Sequence, residues 1–230
     1  MSEDPAGILI VDKEKNMTSH DVVDLVRRQF RIKKVGHAGT LDPNATGVLV
    51  LLLGKATKLS AEFLSQEKEY VATMKLGERT DTGDRDGKLI ESADVRVSEK
   101  EVKDVMADFV GEIDQVPPMV SAKQINGKRL YKLARKGVEV EREPRKVVIK
   151  ELEVMDVKSP YVVFRVVCSK GTYIRKLAED IGERIGCGAH LTELKRTRSG
   201  DFSLEDAVAL SSLSGMSREK LNENIIRIQK

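Results

Sequence analysis

Hydrophobic positions along this chain form continuous runs, alternating runs and helical stripes, and each pattern predicts a different element. The continuous apolar runs at residues 7–12 and 48–53 predict strands that are buried on both faces. Alternation of apolar and polar positions predicts half-buried strands in three further places, at residues 69–76, 146–157 and 161–168. These five runs predict a sheet with residues 48–53 near its centre.

Helical stripes follow polar residues that can cap a helix. Thr18, with Asp21 three residues later, predicts a helix that continues to Phe30. A second predicted helix begins after Ser98 and ends at Gly111. Further helices are predicted at residues 56–64, 129–136, 172–185, 204–213 and 218–228. Because strands and helices are mixed without strict alternation, we predict an α+β fold with a mixed, largely antiparallel central sheet flanked by helices.

The composition indicates a globular protein. A chain of 230 residues can bury a core without a disulfide or metal staple, and its two cysteines do not make a disulfide framework. The longest apolar run is far shorter than the ~20 residues that span a bilayer, and the N-terminus lacks the apolar stretch of a secretory signal. We therefore expect a cytoplasmic protein with no membrane segment, and we expect a monomer.

Charge is distributed unevenly, although the net charge is only +3. Residues 81–115 hold eleven acids and five bases, whereas residues 121–150 hold ten bases and three acids. Such a distribution can present a basic face to a polyanion, and ordinary solvated surfaces account for the same counts. The nine aromatic residues include no Trp, which excludes a broad stacking platform for bases.

The familiar cofactor motifs fail on inspection. Gly47 and Gly54 are separated by six residues instead of the four of a phosphate loop, and Ala56 stands where Ser or Thr would hold magnesium. Cys187 and His190 could touch one metal, but no second pair at zinc spacing exists. We therefore predict no metal, no nucleotide cofactor and no redox cofactor.

Two segments carry candidate chemistry. Residues 36–47 form a glycine-rich stretch with one carboxylate, Asp42, ahead of a proline; an ordinary turn has the same composition. Thr172 resembles a helix cap, which would place Arg175 in the first helical turn, where a cation opposes the helix dipole. Such an arginine often has an anionic partner, and a loop carboxylate is a candidate; a solvated surface arginine is the alternative.

These segments resemble a known family, the bacterial tRNA pseudouridine-55 synthases. Residues 36–43 with 45–49 are similar to the family's catalytic-loop motif, and residues 7–13 with 18–21 to its opening motif. Other segments match in order: residues 68–70, 79–84, 115–118 with 121–123, 170–175 and 186–191. The family usually has Pro after the opening lysine, where this chain has Glu14. The resemblance covers residues 7 to 215.

The resemblance implies an enzyme that isomerises the uridine at position 55 of the tRNA T-loop to pseudouridine, after flipping the base out, without cofactor or metal. It implies three catalytic residues: Asp42 is the essential carboxylate, Arg175 is its ionic partner, and Tyr70 stacks on the target base. It implies substrate-binding roles for Lys13, His37, Tyr173 and Leu194.

The resemblance also implies that residues 121–145 form a basic insertion that clamps RNA. The implied contacts come from Lys123, Lys128, Arg129, Lys132, Arg135 and Lys136. On this basis residues 1–230 form one catalytic domain, its partner is the T-arm stem-loop of tRNA, and the PUA-type C-terminal domain that bacterial members usually carry is expected to be absent.

Two other functions stay open at the level of sequence. The chain could be the catalytic subunit of a guide-RNA-dependent pseudouridylation ribonucleoprotein, or a non-catalytic module that binds or folds tRNA. The amino-acid sequences of residues 79–84 and 170–172 favour the stand-alone enzyme over the first alternative. The presence of both Asp42 and Arg175 argues against the second.

Overall fold

The computed structural model describes residues 5–121, 124–125, 127–130, 133 and 137–228. The chain divides into two compact units, one comprising Met1–Tyr70 with Leu194–Lys230 and the other Val71–Glu193. Strands β4 (Lys68–Leu76) and β12 (Ala189–Ser199) carry the chain from one unit into the other. Among the described residues, no helix is long and apolar enough to cross a membrane.

In the first unit, the two continuous apolar runs pair with each other. Strand β1 (Gly7–Lys13) lies antiparallel to β3 (Thr46–Leu53), with Lys13 opposite Gly47. Strand β2 (Val35–His37) is also antiparallel to β3. The C-terminal part of β12 pairs parallel to the first residues of β3. Two short strands complete the sheet of this unit, β13 (Phe202–Ser203) beside β12 and β14 (Val208–Ala209) beside β1.

Helix α1 (Ser19–Phe30) begins at the predicted residue, because Thr18 and Asp21 form a complete capping box. Three other predicted helices of this unit are wrong in part. Residues 56–64 fall in a 3₁₀ segment, Gly54–Leu59, and in α2 (Ser60–Ser65). Residues 204–213 are divided among a 3₁₀ turn, β14 and a one-turn helix, because Val208 pairs with Val11 of β1. The helix predicted at residues 218–228 ends at Glu223.

In the second unit, the predicted hairpin is confirmed. Strands β10 (Arg145–Lys158) and β11 (Tyr161–Cys168) pair antiparallel, and β7 (Gly111–Gln115) lies antiparallel on the other edge of β10. A smaller hairpin joins β5 (Glu78–Thr80) to β6 (Leu89–Ser92). The sheets of the two units are therefore mixed and largely antiparallel, as predicted.

The helices of the second unit are α3 (Glu99–Ala107), which Ser98 caps as predicted, and α4 (Ile174–Ile185). Helix α4 begins two positions later than the predicted 172–185, because its capping position is Tyr173 and not Thr172, whose hydroxyl donates to the Ser169 carbonyl. The short helices α5 (Leu210–Leu213) and α6 (Arg218–Glu223) belong to the first unit.

The predicted basic helix at residues 129–136 does not begin where expected. Strands β8 (Gln124–Ile125) and β9 (Lys128–Arg129) form a two-residue hairpin instead, so Arg129 is extended. Lys123, Lys132, Arg135 and Lys136, four of the predicted RNA contacts, lie outside the described residues.

Candidate active site

Asp42 lies on the loop that joins β2 to β3, and its backbone is fixed on both sides. The buried hydroxyl of Ser19, at the start of α1, accepts from the Leu41 amide at 2.8 Å and donates to the Leu41 carbonyl at 3.1 Å. The Ala45 amide donates to the Asp42 carbonyl at 3.0 Å. Because the carboxylate itself is only partly buried, the loop presents it while its main chain is held in place.

Lys13 is the last residue of β1, and its side chain contacts the main chain of this loop. Its side chain is completely buried, and its ammonium donates to three carbonyls: Glu14 at 2.8 Å, Met17 at 2.7 Å and Pro43 at 3.0 Å. The last of these contacts ties Lys13 to the residue that follows Asp42. Lys13 therefore contacts the loop of Asp42 although Glu14, and not a proline, follows it.

The charge of Lys13 depends on its neighbours. Burial lowers the pKa of its ammonium to about 8, the negative charge of Asp42 opposes that shift, and the positive charge of Arg196 adds to it. The shift that Asp42 causes shows that the two charges lie close enough to interact.

We expect Lys13 to titrate near pH 8, and we expect Asp42→Asn to lower that pKa further by removing the nearby negative charge. Unfolded chains keep this proton up to the ordinary pKa of 10.5, so the contribution of Lys13 to stability rises with pH between about 8 and 10.5. NMR titration of labelled lysine methylenes measures the pKa directly, with Lys13→Met to assign the signal. An ordinary lysine pKa would contradict this account.

Arg196, on β12, is a residue that the sequence reasoning missed. It is 1% exposed, and its guanidinium donates to the Val48 carbonyl at 2.7 Å and to the Gly39 carbonyl at 3.2 Å. Three basic residues at positions 195, 196 and 198 are typical of a solvated strand, and this pattern conceals the buried one. The usable signal was its position two residues after Leu194, on the same face of the strand.

The other predicted residues of the first unit occupy strands beside this loop or within the unit's sheet. Tyr70 is buried in β4, His37 ends β2 and is partly buried, and Leu194 is partly buried in β12. The unit therefore contains Lys13 and Asp42 together with these three residues.

In the second unit, Arg175 is a buried cation and not a surface residue. Its guanidinium donates to the Thr82 carbonyl at 3.0 Å and to the Val120 carbonyl at 2.8 Å, and it lies 3.5 Å from the Asp84 carboxylate. An anionic partner was predicted, but Asp84 was not recognised as one. The predicted pairing of Arg175 with Asp42 stays a prediction.

The acidic segment at residues 79–84 folds into a turn that serves Arg175. The hydroxyl of Thr82 donates to the Asp84 carboxylate at 2.6 Å, the Asp86 amide donates to the same oxygen at 3.2 Å, and the hydroxyl of Thr80 donates to the Asp84 carbonyl at 2.7 Å. These bonds fix the orientation of the carboxylate that faces Arg175.

Tyr173, the other predicted residue of this unit, is held through its main chain. The buried side chain of Gln115 accepts from the Tyr173 amide at 2.7 Å and donates to the Tyr173 carbonyl at 3.1 Å. This paired contact sets the start of α4, and with it the position of Arg175 two residues later. Gln115 belongs to one of the matching segments, but its role was not predicted.

The described residues contain no group of three or more His, Cys, Asp and Glu side chains that could hold a metal ion. His190 is buried, and its Nδ1 lies 3.3 Å from the Glu78 carbonyl. Cys168 is buried and Cys187 is partly buried.

Two family models match the chain side by side. Residues 27–174 match the N-terminal domain of the TruB family pseudouridylate synthases, and residues 175–228 match a C-terminal domain of tRNA pseudouridylate synthase B. The chain also resembles a chain in the solved structure of a Cbf5-Nop10-Gar1 complex, with a TM-score of 0.74 and 34% identity over 96% of this chain and 59% of that one. A likeness to an H/ACA RNP bound to a substrate RNA has a TM-score of 0.68 and 31% identity, covering 94% of this chain and 57% of that one.

The fold and the carboxylate-bearing loop thus define an RNA-modifying isomerase of the pseudouridylate synthase class. Among curated relatives, the tRNA pseudouridine synthase B of Clostridium tetani is 50% identical over 97% of this chain and 77% of the relative. That of Syntrophotalea carbinolica is 48% identical over 96% of this chain and 73% of the relative. The chain belongs to the TruB family of pseudouridylate synthases.

Proposed function

We infer that this chain is a tRNA pseudouridine synthase, which isomerises uridine 55 of the T-loop to pseudouridine. Family membership and the names of relatives at about half identity support this. The single structural observation that carries the chemistry is Asp42, a partly exposed carboxylate on a loop whose main chain is fixed.

The reaction conserves every atom of the nucleotide. The bond from N1 of uracil to C1′ of ribose breaks, a bond from C5 to C1′ forms, and the proton lost from C5 is balanced by one gained at N1. Because the net change is an isomerisation, no oxidant, reductant or group donor is consumed. An ionised carboxylate can serve such a reaction by attacking C1′ of the sugar, as a glycosidase nucleophile does. Attack on the base is the alternative.

The remaining roles are part of the proposal. The target base leaves the folded T-loop to reach Asp42, and Tyr70 stacks on it. His37, Tyr173 and Leu194 bind the substrate, Lys13 supports the substrate site, and Arg175 pairs with Asp42. Lys13 acts mainly through the loop, since its donors are already bonded to three carbonyls.

A direct assay separates the candidate functions. Purified protein is incubated with an unmodified tRNA transcript in the presence of EDTA, without guide RNA or nucleotide, and pseudouridine is mapped along the transcript. Conversion at position 55 is expected. A requirement for guide RNA would favour the ribonucleoprotein subunit, an alternative consistent with the likeness to the H/ACA RNP structure. Binding without conversion would favour the non-catalytic module.

Mapping bulk tRNA from a strain that lacks this protein, with and without complementation, tests the same function in the cell. The proposal includes tRNA as the partner through its T-arm, a monomeric state and a cytoplasmic location. Sedimentation of the purified protein with and without tRNA measures the first two.

Neutralising the basic insertion is expected to weaken tRNA binding. In the triple variant Lys128→Gln, Arg129→Gln, Lys132→Gln, the slope of log affinity against log salt should fall by about 0.7–0.9 for each lost phosphate contact. The rate at saturating tRNA should change less, because these residues are assigned to phosphates and not to the uracil.

A matched control removes three positive charges that are exposed, those of Lys100, Lys103 and Lys158, which pair with acids of the second unit. Measuring binding at several salt concentrations compares the two triples. An unchanged salt slope in the insertion variant would contradict the clamp.

A further inference from the structure

Arg196 is a buried cation that the proposed chemistry does not use directly. A guanidinium at 1% exposure is costly unless it is hydrogen-bonded, so its contacts indicate what the site is built for. The contacts described above go to two main-chain carbonyls, Gly39 and Val48.

These two carbonyls lie at opposite ends of the loop that carries Asp42. Gly39 lies three residues before Asp42, shortly after β2, and Val48 lies in β3, six residues after Asp42. One planar guanidinium therefore joins the entry and the exit of the loop. A guanidinium suits this task because its donors are fixed relative to one another.

The main chain of β12 contacts the same loop closely. Arg196 lies opposite Gly47 in the parallel pairing, where Gly47 has a φ of +98° and an added Cβ would lie 2.2 Å from the Arg196 carbonyl oxygen. At Gly39, with a φ of +118°, an added Cβ would lie 3.4 Å from Nη1 of Arg196. Gly47 thus allows the main chain of Arg196 to lie directly against it, whereas at Gly39 the positive φ, and not the space, favours glycine.

We propose that Arg196 is a positioning residue for the isomerisation: by joining the two ends of the loop, it holds Asp42 where the carboxylate must act. This inference rests on the proposed function and goes beyond it by assigning a role to a residue outside the predicted site. Arg196 acts through the loop backbone, and the proposal gives it no contact with the substrate.

The test compares Arg196→Met, Arg196→Lys and the control Lys195→Met, which removes an exposed charge from the neighbouring position. Single-turnover rates at saturating tRNA are measured per folded molecule, below the unfolding transition of every variant. We expect the rate of Arg196→Met to fall by about 10²-fold, as a misplacement of about 1 Å produces, with little change in tRNA affinity. Arg196→Lys, which keeps the charge and can reach one carbonyl, should be intermediate.

Hydrogen exchange without tRNA tests the anchoring separately. Amides of residues 38–48 should exchange faster in Arg196→Met than in wild type, and Lys195→Met should match wild type. If Arg196→Met does not fold, Arg196→Lys decides both measurements.

The proposal would be overturned if Arg196→Met, or Arg196→Lys where the former does not fold, had the wild-type rate per folded molecule. Unchanged amide exchange in residues 38–48 of that variant would also overturn it. If wild type itself converted no uridine, the proposed function would fail, and the exchange measurement would still show whether Arg196 anchors the loop.

Discussion

Replacing Asp42 by asparagine is expected to reduce isomerisation by about 10³-fold or more, while tRNA binds almost as tightly as to wild type. The amide keeps the size of the side chain but loses the negative charge, which the chemistry requires. The loop should keep its conformation, because its bonds to Ser19, Lys13 and Arg196 all involve main-chain atoms.

Single-turnover conversion of tRNA and a separate binding titration measure the two effects. Asp201→Asn is a suitable control, since Asp201 is an exposed aspartate of the same unit. Turnover of Asp42→Asn within about tenfold of wild type would remove Asp42 from the mechanism.

Replacing Arg175 by methionine is expected to destabilise the protein by about 2–4 kcal/mol. The variant keeps an unbranched apolar stem but lacks the guanidinium, so the Thr82 and Val120 carbonyls lose this donor and the Asp84 carboxylate loses this cation. If Arg175 also pairs with Asp42, turnover should fall as well, by about 10²-fold or more.

Denaturant unfolding measures the loss of stability. Arg184→Met on the same helix is the control, because Arg184 is mostly exposed and its ion pair with the exposed Asp108, at 3.7 Å, lies in solvent. A double-mutant cycle with Asp84→Asn isolates the pair. A loss no larger than that of the control would show that the buried contacts of Arg175 contribute little.

The sequence alone determined the elements whose signals are local. The capping box of Thr18 and Asp21, the continuous apolar runs of β1 and β3, and the alternation of β10 and β11 each depend on residues within one element. These patterns predicted the α+β class and placed the carboxylate loop ahead of β3, because burial and capping impose a short periodicity that can be read along the chain.

Local periodicity did not predict short elements that depend on pairing with a distant strand. Residues 204–213 have helical spacing, yet Val208 pairs with a strand from the start of the chain. Residues 35–37, for which the sequence predicted no strand, form one because the main chain of β3 offers them partners.

Only the tertiary structure decided which charged residues are buried and what they contact. Arg196 and Gly39 are 157 positions apart, and Arg175 and Thr82 are 93 positions apart. No local pattern separates these arginines from solvated ones, since their cost of burial is offset by carbonyls and carboxylates that other segments supply. The sequence therefore showed that Asp42 carries the candidate chemistry, whereas the folded chain showed how Lys13 and Arg196 hold its loop.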